Sequence, residues 1–79
     1  MRKTRTLREI VAANVRAELG RNRVTQARAA SRTSMSAAAL SKRLNAQLPF
    51  DIDQLAELAE VVDVDPAVFF IRHDDRASA

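Results

Sequence analysis

An all-α fold of five short helices follows from three observations on the sequence. Five apolar stretches recur at helical spacing, each opened by a residue able to cap a helix, no stretch alternates with the strand period of two, and the connections are short. The chain has 79 residues, which is enough for one small domain with a modest core and no internal repeat.

Thr6 and Glu9 form a capping box, and Leu7, Ile10, Val11, Val15 and Leu19 recur at helical spacing. Gly20, the only glycine, is expected to stop this helix, which gives a first helix over about residues 7–19. After the polar link 21–24, Thr25 caps a second helix over about 26–33 with Ala29 and Ala30 inside. Ser34 and Met35 make a tight turn, and Ser36 caps a third helix over about 36–45 whose core stripe is Leu40 and Leu44. Asp51 with Gln54 opens a fourth helix carrying Leu55, Leu58, Ala59 and Val62 to about Asp63. Asp65 followed by Pro66 opens a short fifth helix over Ala67, Val68, Phe69, Phe70 and Ile71. Residues 1–6 are expected to form a basic arm, 7–72 the domain, and 73–79 a mobile tail with nothing to bury.

Composition narrows the function. Hydrophobic residues make up 47% of the chain but aromatic ones only 4%, so the core is built from Ala, Val and Leu. Cysteine is absent, so the fold rests on packing, and a reducing compartment such as the bacterial cytoplasm or nucleoid suits it. The basic start lacks the apolar run of a signal peptide, and no stretch is long enough to span a membrane. Residues 1–48 hold eleven Arg/Lys against two acids, a net of +9, whereas residues 49–79 hold two against eight, a net of −6. The basic half suits a polyanion, although two oppositely charged solvated faces would look the same.

Residues 26–45 are the most informative stretch, because they read as two short helices joined by one turn. The chain from about residue 6 to 71 resembles the lambda-repressor-like, Cro-type family of helix-turn-helix domains. Asn14-Val-Arg16 and Leu19-Gly20 resemble the family's first helix and its end, Thr25-Gln26 its start of helix 2, and Ala30 its small residue at the close approach of helices 2 and 3. Met35-Ser36 resembles the apolar-plus-cap pair before the recognition helix and Leu40 its buried aliphatic, while Pro49-Phe50, Leu55, Leu58-Ala59 and Val64-Asp-Pro66 resemble the later elements. Three positions depart from the pattern. Ser34 and Ala46 stand where the family often has glycine, so Ser34 must take either a left-handed backbone or a different turn. Arg43 stands where many members carry an aliphatic residue.

The resemblance implies a recognition helix that reads double-stranded DNA. With Leu40 and Leu44 inward, about 100° per residue turns Ala38, Ser41, Lys42 and Asn45 outward with Ala37 at the edge. Lys42 can donate to guanine, Ser41 can bond either base type, and the methyls of Ala37 and Ala38 can meet thymine methyls. By the family pattern Ala37, Ala38 and Lys42 touch bases, while Gln26 and Asn45 grip phosphate. Three consecutive alanines carry little hydrogen-bond information, so specificity is expected to lean on methyl contact, Lys42 and DNA shape. Phosphate is expected to meet the helix starts flanked by Thr25, Gln26, Arg28, Arg32 and Ser36, with Arg2, Lys3 and Arg5 as an arm along the backbone or minor groove.

The expected activity is therefore that of a Cro-like phage or prophage repressor occupying operator DNA, with no further domain following. Only one phenylalanine of the patch Phe69, Phe70 and Ile71 is expected to fit the core, and a homodimer through that patch would read two half-sites about one helical turn apart. The rival is a protein-interaction module on the same fold, such as an antitoxin, anti-repressor or excision accessory factor. No enzyme, cofactor, metal or small-molecule ligand is expected: one histidine, no cysteine and no glycine-rich loop leave nothing to build such a site around, and clustered acids at helix ends read as caps. The amphipathic first helix reads as a core helix, not a membrane-surface one.

Overall fold

Each predicted helix start is made as the side chains dictate. Thr6 and Asp51 close capping boxes with Glu9 and Gln54, and the hydroxyls of Thr25 and Ser36 accept from the amides of Arg28 and Ala39 at 3.1 Å each. The computed structural model describes residues 5–73 and contains four α-helices: α1 (Leu7–Arg21), α2 (Gln26–Ser31), α3 (Ala37–Leu44) and α4 (Ile52–Val62). No strand occurs among the described residues. The expected arm residues Arg2 and Lys3, and most of the expected tail, lie outside the described residues.

The fifth α-helix is corrected to a 3-10 helix, Pro66–Phe70. Asp65 caps the Ala67 amide as expected, but the bonds that follow span three residues, Val68 N–H to the Asp65 carbonyl and Ile71 N–H to that of Val68. A buried side chain from α1 takes the terminal carbonyls instead. The Asn14 amide donates to the carbonyls of Phe69 and Ile71, both at 2.8 Å, tying the chain end to the middle of α1.

Helix ends differ most from expectation. Gly20 lies inside α1, which runs on to Arg21, and the stop comes from Arg23 in a left-handed conformation with φ 58°. Its amide bonds the Gly20 carbonyl, and the Val24 amide bonds that of Leu19, the pattern of a Schellman cap. Ala46 (φ 61°) closes α3 in the same way, and Asp63 (φ 58°) closes α4. Helix α2 stops at Ser31, two residues early, because Ser31 and Thr33 turn their hydroxyls onto the carbonyls of Arg28 and Ala30.

The core gathers one stripe from each element. Val11, Val15 and Leu19 of α1 meet Ala29 and Ala30 of α2, Met35, Leu40 and Leu44 around α3, Leu55, Leu58, Ala59 and Val62 of α4, and Phe69. Leu7, expected on the α1 stripe, is 56% exposed because it sits on the first turn, beyond the edge of that core.

Candidate nucleic-acid interface

The α2–turn–α3 unit is held so that one face of α3 is left open. Leu40 and Leu44 are buried, and Ala37, Ala38, Lys42 and Asn45 are exposed, with Ser41 half-buried between them. This is the outward face that the helical period requires. Gln26, Arg28, Thr25 and Ser36 are exposed at the two helix starts, where uncapped amides and side-chain donors are available to an anion. Asn45 caps α3, and its side-chain amide donates to the Ser41 carbonyl at 3.0 Å.

The turn uses neither glycine nor a left-handed residue. Ser34 has no positive φ; its amide and hydroxyl both donate to Glu57 Oε1 of α4, at 3.2 and 2.9 Å. A carboxylate from another helix thus fixes the break between α2 and α3. Arg43 is placed comparably, with Nε donating to Gln54 Oε1 at 3.1 Å and Nη1 to the Ala39 carbonyl at 2.9 Å. Leu44 fills the core position that an aliphatic residue at 43 would otherwise serve. On the opposite side, Arg16 Nη1 of α1 donates to the Leu44 carbonyl at the end of α3.

Other expected residues fall elsewhere. Arg32 is exposed and shares a surface depression with Glu57, Glu60 and Val61, so carboxylates of α4 neighbour it. Arg5 borders a depression with Ala13, Ala17, Val68 and His73, none of which belongs to α2 or α3. Phe69 is corrected from a dimer contact to a core residue: it is 0% exposed, whereas Phe70 and Ile71 are 45% and 48% exposed. Ile52, which sequence reasoning does not single out, is 82% exposed and lies with Leu7, Val11, Phe50, Leu55 and Phe70 around a cavity of about 370 Å³. Its place as the first residue of α4, ahead of the buried Leu55, is the signal that marks it. Arg16 and Glu57 carry no such signal, since their partners are a carbonyl and a turn far away in sequence.

No helix among the described residues is long and apolar enough to cross a membrane. No curated protein matches the sequence. Among solved structures, the chain is similar to the clp gene regulator ClgR from C. glutamicum, with a TM-score of 0.78 at 21% identity over 84% of this chain and 86% of that one. That likeness shows a shared fold. The BetR domain model matches residues 6–79, nearly the whole chain, and the protein belongs to the BetR domain family.

Proposed function

We propose that the protein is a sequence-specific double-stranded DNA-binding transcriptional regulator of lambda-repressor-like type, a Cro-like repressor that occupies an operator and catalyses no reaction. The observation that carries this reading is the open face of α3: Ala37, Ala38, Lys42 and Asn45 stand exposed, with Ser41 half-buried, on a helix whose other face is locked into the core. Lys42 supplies the charge-assisted donor to a base edge, Ala37 and Ala38 the methyl contacts, and Ser41 a small donor or acceptor. Thr25, Gln26, Arg28, Ser36 and Asn45 grip phosphates, with Arg2 and Lys3 adding charge from the chain start. ClgR, which shares this fold, is a clp gene regulator, and that supports the same role here.

Phe70 and Ile71, joined by Ile52, form the contact through which two copies pair on DNA. A pair reads two half-sites about one helical turn apart. The protein works in the bacterial cytoplasm, on the nucleoid.

Selection of bound duplexes from a random pool, followed by binding of the preferred duplex and a scrambled one, tests the reading. Lys42→Ala is expected to lower the preference between them by about 1–3 kcal/mol, the worth of one good base contact. Unchanged preference, or equal binding of both duplexes by the unmodified protein, refutes it. Retained DNA binding with loss of a protein partner would favour the interaction-module reading, to which the exposed Ile52–Phe70 patch is equally suited.

A further inference from the structure

The last turn of an α-helix leaves four carbonyls without intrahelical partners. In α3 each has a donor. The Ser41 carbonyl accepts from the amide and side chain of Asn45, the Lys42 carbonyl from the amides of Gln47 and Leu48, and the Arg43 carbonyl from the amide of Ala46. Those donors come from the chain immediately following. The fourth carbonyl, that of Leu44, accepts from Arg16 Nη1 of α1. A guanidinium therefore sits on the negative end of the α3 dipole, where a cation is favoured, and joins α3 to a helix distant in sequence.

We propose that Arg16 is a positioning residue for DNA reading, which fixes the tilt of α3 by holding its C-terminal end to α1. The inference rests on the DNA-reading role of α3. At the other end, the turn before α3 is tied to α4 through Ser34 and Glu57, and in the last turn Arg43 bonds Gln54 of α4, so the helix is tethered at both ends to α4 and, through Arg16, to α1 as well. Leu40 and Leu44 fasten its buried face by non-directional packing, which tolerates a small rotation or slide. Directional bonds at both ends remove that freedom. Lys42 stands in the turn that Arg16 holds, and a reading side chain must be placed within about 0.5 Å to make its base contact. Phosphate gripping is less demanding, because a point charge near a backbone of charges keeps most of its attraction after such a shift. Loss of Arg16 should therefore damage discrimination more than non-specific affinity.

The test uses the full chain with Arg16→Met and Arg16→Lys, each titrated against the preferred duplex and a scrambled duplex at several salt concentrations, well below the Tm. Arg16→Met is expected to weaken the preferred duplex about 10-fold, the usual worth of a hydrogen bond from a charged donor, and to leave the scrambled duplex within about 2-fold. The salt slope stays unchanged, and Arg16→Lys, which keeps a charged donor, recovers most of the loss. In the free protein the Asn45 amide, which shares its peptide unit with the Leu44 carbonyl, shifts in the NMR spectrum of Arg16→Met. Equal weakening of both duplexes with a slope less negative by about 0.9 overturns the proposal, since Arg16 would then neutralise a phosphate itself. An unchanged ratio between duplexes overturns it too, leaving Arg16 a purely structural residue. If Arg16→Met does not fold, the same ratio and slope are read from Arg16→Ala with the same expected and overturning results, and a full loss of preference in a folded Arg16→Lys contradicts the expected rescue and counts against the proposal. Lys42→Ala run in parallel separates the two failures. If it abolishes the preference and the Arg16 variants do not, only the positioning role of Arg16 fails; if it leaves the preference unchanged, the DNA reading falls and the role of Arg16 with it.

Discussion

Gly20→Ala distinguishes two accounts of how α1 ends. If Gly20 were the left-handed stop that its being the only glycine suggests, alanine would be strained there and would cost about 1 kcal/mol or more. In the structure Gly20 is an exposed residue inside α1 without a positive φ, and a Cβ built on it meets nothing within 4 Å. Glycine in a helix is less favourable than alanine by about 0.5–1 kcal/mol, chiefly through the greater freedom of the unfolded chain, so the substitution should stabilise by that amount. Gly20 precedes the final residue of α1, where fraying pulls the gain toward the lower figure. For a domain of this size, Tm should rise by roughly 2–8 °C. Thermal and urea unfolding followed by circular dichroism measure it, with an unchanged m-value showing that the two-state reference is intact. A lower Tm would return the cap to Gly20.

Ala46→Gly relieves a left-handed alanine at φ 61° and is expected to raise stability by about 1 kcal/mol, read in the same unfolding experiment. Ser34→Gly, although it restores a residue common in the resembling family, should lower stability by about 1 kcal/mol, because it deletes the hydroxyl bond to Glu57 without relieving any positive φ. Phe69→Ala should cost about 3–5 kcal/mol by emptying a buried site, whereas Phe70→Glu should leave Tm nearly unchanged and convert any dimer seen by sedimentation to a monomer. If about five phosphates are neutralised per subunit, log affinity for DNA should fall against log salt with a slope near −4.5, and a slope near zero would sink the DNA reading.

Helix starts were legible in the sequence, and helix ends only in part: α3 and α4 stop within a residue of where they were expected, whereas α1 runs two residues further and α2 stops two residues short. Thr6, Thr25, Ser36, Asp51 and Asp65 each act on an amide two or three residues ahead, so the signal and its target sit in one short window. The stops at Arg23, Ala46 and Asp63 use a left-handed backbone without glycine, and of the three only Ala46, which stands where the resembling family often has glycine, carries a mark of it in the sequence. The open face of α3 follows from Leu40 and Leu44 alone, because helical period fixes the opposite side once two buried positions are known. The choice between two consecutive phenylalanines required the structure. Phe69 enters the core because Asn14 fixes its carbonyl against α1, and that bond joins residues 55 positions apart.

The division into a basic first half and an acidic second half acquires a physical role beyond orienting the molecule. An eight-residue helix such as α3 is not stable alone, so its attitude is set by whatever holds its ends. Two of the holding groups, Glu57 and Gln54, come from α4 in the acidic half, and one of them is itself an acid. Glu57 accepts the exposed amide and hydroxyl of the turn, and Gln54 accepts from Arg43, which would otherwise be one more unsteered cation beside the reading face. Substitutions on α4 should therefore alter which sequence is read without any contact to DNA. That effect differs from simple loss of positive charge: removing Glu57 makes the surface more basic and should strengthen non-specific binding, while loosening the turn weakens discrimination. Opposite movement of the two affinities in Glu57→Ala, which removes the acceptor, would show the carboxylate acting through geometry, and parallel strengthening of both would show it acting through charge alone.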